Sequence, residues 1–140
     1  MARTDPDPAL EWELRRAAEA GLLQPGELLV EAELASLGWA SGALVVTDRR
    51  VLFVNTGLFR RRRKVKVTSV DLADVRHAKP SAVWGMTNTG ELTLTVANQG
   101  TESGSIEFGQ IPGGMPRANE IAESILRERA LLLRRESRKT

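Results

Sequence analysis

The chain has no cysteine and no tyrosine among its 140 residues, and it has one histidine. Without a thiol there can be no disulfide, thiolate zinc site or cysteine nucleophile, and a reducing compartment suits such a chain. The lone imidazole, His77, leaves acid–base catalysis short of partners: Asp74 is near in sequence, but no third member of a catalytic set is identifiable. His77 therefore reads as a strand-surface or half-buried residue, and Asp71 and Asp74 as turn-capping residues. A metal site would have to be built from carboxylates, and no loop has calcium-binding spacing. Gly113-Gly114 ahead of a helix lacks the lysine and spacing of a phosphate-binding loop, so it reads as a strand-to-helix hinge. Long apolar runs are missing as well. The longest stretch free of charge, residues 34–47, is shorter than a membrane span and is broken by Gly38, Ser41 and Gly42. The first eight residues lack the apolar centre of a signal peptide. These absences predict a non-enzymatic, cytoplasmic protein with no transmembrane segment, metal or cofactor.

What is present is enough to fold. Hydrophobic residues make up 41% and charged residues 27% of the chain, ordinary values for a globular domain. A chain of this length buries about two thirds of its unfolded surface as one domain. The net charge of +2 conceals a strong local asymmetry. Residues 1–59 carry five positive and nine negative side chains, residues 60–66 carry six positive and none negative, and residues 67–140 carry nine of each. The basic character thus comes from one segment: Arg60, Arg61, Arg62, Arg63, Lys64 and Lys66 around Val65.

The spacing of apolar residues gives the element order. Asp7-Pro8 suits a helix start, and Leu10, Leu14, Ala17, Ala18 and Gly21 follow at helical intervals, so residues 1–24 read as an extension with a short amphipathic helix. Gln24-Pro25-Gly26 turns the chain into a first strand in which Leu28, Val30, Ala32 and Leu34 face the core. Residues 36–42 read as a loop carrying Trp39. Gly42-Ala43-Leu44-Val45-Val46 and Val51-Leu52-Phe53-Val54 flank the polar corner Thr47-Asp48-Arg49-Arg50, the mark of a tight hairpin. A fourth strand begins at Val65, and Val70, Leu72 and Val75 continue it through a bend toward Pro80. Residues 81–90, with Trp84, read as a loop. Leu92, Leu94 and Val96 face inward from the next strand, residues 98–104 form a turn-rich connection, and residues 105–108 form the last strand. Pro116 opens a C-terminal helix with Ala118, Ile121, Ala122, Ile125, Arg129 and Leu132 on one stripe. From Arg134 the chain reads as a polar tail.

About seven antiparallel strands followed by one long helix give a mainly β, α+β class. Pro25-Gly26-Glu27, the hairpin through Thr47-Asp48-Arg49-Arg50, and the stretch Val67-Thr68-Ser69-Val70-Asp71-Leu72-Ala73-Asp74-Val75 together resemble the bacterial pleckstrin-homology-like domains, including the YokE-like and GRAM-like groups. The resemblance spans about residues 22–135, and it places that domain over residues 25–135 with a disordered tail over 136–140. It implies a partly open barrel of two near-orthogonal sheets, plugged at one end by the helix, and a binding or assembly module in place of an enzyme. Eukaryotic relatives of the fold bind phosphoinositides or peptides through basic residues between the first two strands. Residues 36–42 hold no arginine or lysine here, so that lipid site does not carry over.

Three partners remain for the basic segment if it is more than a solvated loop that blunts a sheet edge. An anionic membrane surface ranks first, because each basic residue near such a surface gains on the order of 1 kcal/mol, with Leu58 and Phe59 beside the run for shallow insertion. Nucleic acid is disfavoured, since Phe59 is the single nearby stacking ring and no base-reading element is present. A protein partner or a homo-oligomeric scaffold is the alternative, with Trp12, Trp39, Phe59 and Trp84 as interface candidates.

Overall fold

The computed structural model describes residues 23–38, 40–55, 66–83, 86–97 and 104–138. The helix expected over residues 8–21, the basic residues Arg60 to Lys64 and the connection at 98–103 lie outside them. The described elements are β1 (Leu29–Leu37), β2 (Ala40–Thr47), β3 (Arg50–Asn55), β4 (Lys66–Asp71), β5 (Val75–Val83), β6 (Met86–Val96), β7 (Gly104–Pro112) and α1 (Gly114–Arg138), with one 3-10 turn over Leu72–Asp74. All strand pairs are antiparallel, in the order β4-β3-β2-β1-β7-β6-β5. β1 meets β7 only through Ser36 opposite Gly109 and Leu37 opposite Phe108. That short seam divides the sheet into two meanders, β1–β4 and β5–β7, which curl into a half-barrel capped by α1 on β5 and β6.

The core follows from strict alternation. Leu44, Val46, Val51 and Phe53 of the first meander meet Leu92, Leu94, Phe108 and Ile111 of the second, and Ala118, Ile121, Ala122 and Ile125 of α1 close over them. The helix stripe is thus the one expected from spacing, and Leu126 and Leu133, beside it, stay exposed. The helix does not end near Arg134 but continues to Arg138, where Arg135 donates to the Asp48 carbonyl at 3.1 Å.

Besides the longer helix, and a last strand over Gly104–Pro112 in place of 105–108, three sequence expectations change. Residues 36–42 are not a loop: β1 runs to Leu37 and β2 starts at Ala40. Most of residues 81–90 are likewise strand, since Val83 is the register partner of Met86 at the tip of a tight hairpin. Glycine and serine obscured both strands because they give no apolar alternation. At Gly42 the missing side chain is required, as a Cβ there would lie 2.1 Å from the Val54 carbonyl oxygen on β3. Gly42→Ala must push β2 from β3 and is expected to destabilise by about 1–3 kcal/mol; a urea midpoint unchanged from the native chain would contradict that close approach.

The third change concerns β1. Its register shifts between Leu29 and Glu31, which sets Glu31 opposite Val46, Glu33 opposite Leu44 and Ala35 opposite Gly42. Directly opposed residues share a face, so Glu31, Glu33 and Ala35 are on the inner side. Ala32 and Leu34 pack instead with Ala43, Val45, Leu52 and Val54 on the outer side. Both faces of this meander are apolar, so alternation alone could not fix the phase, and a cation from α1 makes the inner glutamates tolerable.

Candidate functional site

That cation is Arg117, in the first turn of α1. Its Nε donates to Glu33 Oε1 at 2.8 Å, and its Nη2 donates to Glu31 Oε1 at 2.8 Å and to the Ala32 carbonyl at 3.2 Å. Burial alone would lower its pKa, but the bonds to Glu33 and Glu31 outweigh this and raise it. A third carboxylate, Glu120, sits one turn along at 3.2 Å. Charge-assisted bonds of this kind fix geometry, and here they pin the helix start against β1.

A second cluster joins the two sequence marks that precede and contain the hairpin. The Glu27 side chain is fully buried. It accepts Arg50 Nε and Nη2 at 2.8 Å each, Thr47 Oγ1 at 2.6 Å and the Gln24 backbone N–H at 2.8 Å. The Arg50 guanidinium, followed by Thr47 and Gln24, outweighs burial and holds the Glu27 carboxyl at about 2, well below the ordinary 4.5. Thr47 Oγ1 also accepts the N–H groups of Arg49 and Arg50, while Asp48 Oδ1 accepts from the Leu28 N–H and the Leu28 carbonyl accepts from the Asp48 N–H. The polar corner is therefore a lock between the strand entry and the hairpin. At its centre Glu27, Thr47 and Arg50 are bonded to one another.

His77 is exposed on β5, where it pairs with Thr95. Asp71 occupies the N-cap position of the 3-10 turn, yet its side chain makes no capping bond. Among the described residues no group of three histidine, aspartate or glutamate side chains is arranged to hold a metal. No described helix is long and apolar enough to cross a membrane.

A cleft of about 660 Å³ opens where the end of β4 and the 3-10 turn face the start of β7, with Ser69, Asp71, Asp74, Val96, Ser105 and Ile106 on its walls. Its two carboxylates make it a poor seat for an anion. The basic segment belongs to the other end of the same strand: Lys66, its last member, opens β4 as the register partner of Asn55. Lys66 and Asp71 are five residues apart along β4, about 17 Å at the usual strand rise. Arg60, Arg61, Arg62, Arg63, Lys64 and Phe59 fall in the connection between Asn55 and Lys66, outside the described residues. Trp39 falls outside them too, between the register partners Leu37 and Ala40. In an antiparallel meander the β1–β2 and β3–β4 connections leave from one end, while the Asp48-Arg49 corner is at the other. Trp84 belongs to the β5–β6 hairpin of the second meander, and Trp12 to the undescribed segment before Leu23.

Sequence reasoning missed both ion clusters. Glu27 and Arg50 stand 23 residues apart and Glu33 and Arg117 stand 84 apart, so no local spacing marks either pair. The Glu27 pair had an indirect signal in the two short motifs of the resemblance.

Comparison with solved structures finds a likeness to the crystal structure of a pleckstrin homology domain from Shewanella amazonensis SB2B, with a TM-score of 0.57 and 17% identity, covering 92% of this chain and 94% of that chain. No protein-family model matches the sequence, and no curated protein gives a significant match. The chain has a pleckstrin-homology-like fold, as the resemblance implied.

Proposed function

We propose that the chain is a non-catalytic binding module that associates peripherally with anionic lipid surfaces through Arg60, Arg61, Arg62, Arg63, Lys64 and Lys66. The observation that carries the proposal is the distribution of charge along β4: six positive side chains with no negative one lead into its first residue, and Asp71 and Asp74 line a cleft at its far end. A surface of this polarity orients itself on an anionic bilayer, basic end down. Each basic residue within a Debye length of the headgroups contributes on the order of 1 kcal/mol. Leu58, Phe59 and Trp39 supply apolar and aromatic groups suited to the boundary between headgroups and acyl chains. Arginine and lysine are ordinarily charged at neutral pH, so binding is expected to follow salt and lipid charge.

Co-sedimentation with phosphatidylcholine vesicles, with and without phosphatidylglycerol, tests this reading. The native chain is expected to pellet only with the anionic vesicles and less so as salt rises. Replacing the six positive residues by serine or glutamine is expected to cut binding at least tenfold, to the level of neutral vesicles. A native chain that ignores anionic vesicles at low salt, and shows a defined oligomer by light scattering, contradicts the lipid reading and favours a protein-interaction scaffold.

A further inference from the structure

The β1–β4 meander is apolar on both faces, and α1 covers only one of them. Along β2 and β3 the inner residues Leu44, Val46, Val51 and Phe53 join the core beneath the helix, while Ala43, Val45, Leu52 and Val54 form a separate cluster outside. An antiparallel sheet with one solvated face places polar residues on that face. Here the four outer residues are apolar and only 1–2% exposed. Among the described residues, the partly buried hydrophobics packed against them are Ala32, Leu34, Val67 and Leu23. Ala32, Leu34 and Val67 stand in the same sheet, beside the cluster at the strand spacing of about 4.8 Å, and side neighbours do not roof a sheet face. Leu23 does not belong to the sheet. It precedes β1, and its place on the cluster marks where the preceding chain arrives.

We propose that residues 8–21 form an amphipathic helix lying across the outer face of the β1–β4 meander, with Leu10, Leu14, Ala17 and Ala18 seated on Val45, Leu52 and Val54. The dimensions agree. Fourteen helical residues span about 21 Å, and four strands are about 14 Å across, so one such helix roofs the face. Of the other positions, Glu11, Glu13, Arg15, Arg16 and Glu19 carry both signs of charge and suit water in place of an anionic bilayer, and Trp12 lies off the seated stripe. The domain is then three layers deep, with α1 inside the half-barrel and the N-terminal helix outside its first meander. This inference is independent of the lipid reading, which concerns the end of the meander and not its face.

Methyl nuclear Overhauser spectroscopy on the full chain tests the inference, with isotope-filtered spectra of mixed labelled and unlabelled protein separating contacts within one molecule from contacts between two. Intramolecular cross-peaks from Val45, Leu52 and Val54 methyls to residues 10–18 are expected in the native chain. Leu14→Asp should remove them and lower the urea midpoint, while Leu14→Met should keep both near native. Cross-peaks that arise only between molecules would show a second copy on the face and overturn the inference. So would methyls with no cross-peak to residues 8–21, or a Leu14→Asp chain that keeps its cross-peaks and midpoint.

Discussion

Glu27→Gln is expected to lower the unfolding free energy by about 3 kcal/mol at neutral pH, because the substitution removes a buried carboxylate held at about 2 and takes from the Arg50 guanidinium, only 14% exposed, its main counter-charge. The sign of the pH dependence follows from the direction of the shift. The folded pKa is depressed below the unfolded one, so the stabilisation is fully present above about 4.5 and is lost as pH falls toward about 2. Urea melts across that window should show the native chain losing stability steeply while Glu27→Gln loses much less, the two curves converging near the bottom of the range. Equal stabilities at pH 7 would show that the lock between the strand entry and the hairpin contributes nothing.

Phe108→Ala is expected to cost about 3–5 kcal/mol, among the largest effects of any single truncation. Phe108 is 2% exposed, and its ring lies 6.1 Å from that of Phe53, centroid to centroid, tilted by 35°. Its position on β7 is the register partner of Leu37 on β1 and of Leu92 on β6. It therefore stands at the short seam where the two meanders join, and a cavity there removes packing from both at once. Phe53→Ala in the same background should cost less than it does alone, since the two rings support each other. A loss below about 1 kcal/mol for Phe108→Ala would mean that the seam collapses around the void, contrary to a close-packed core.

How much of this was legible in the sequence depended on the kind of signal. Leu92-Thr93-Leu94 alternates cleanly, and Ala118-Ile121-Ala122-Ile125 repeats at helical intervals, so their buried faces could be read directly. Where both faces are apolar, as in Val45-Val46 and Val51-Leu52, strands were evident but the inward phase of β1 was not. Gly42 and Gly90 disguised long strands as loops, because close backbone approach leaves no hydrophobic mark. At Gly90 a Cβ would lie 2.5 Å from the Gly114 carbonyl, a tertiary constraint that no local pattern announces. The candidate site was legible as charge alone. The run from Arg60 to Lys66 stands out in composition and was read as leading into the fourth strand, but only the pairing of Asn55 with Lys66 sets it far along β4 from Asp71 and Asp74. The ion clusters around Glu27 and Arg117 join residues distant in sequence and were invisible until the fold brought them together.

Amide resonance intensities, followed as vesicles are added to uniformly labelled protein, locate the end of the molecule that meets a membrane. With anionic vesicles, the signals of Leu37, Ala40, Asn55 and Lys66 should weaken first, while those of Asp48, Asp71, Asp74 and Ala97 persist, and neutral vesicles should change neither set. Loss centred on the Asp71 and Asp74 cleft, or equal loss with neutral vesicles, would contradict binding through the basic segment.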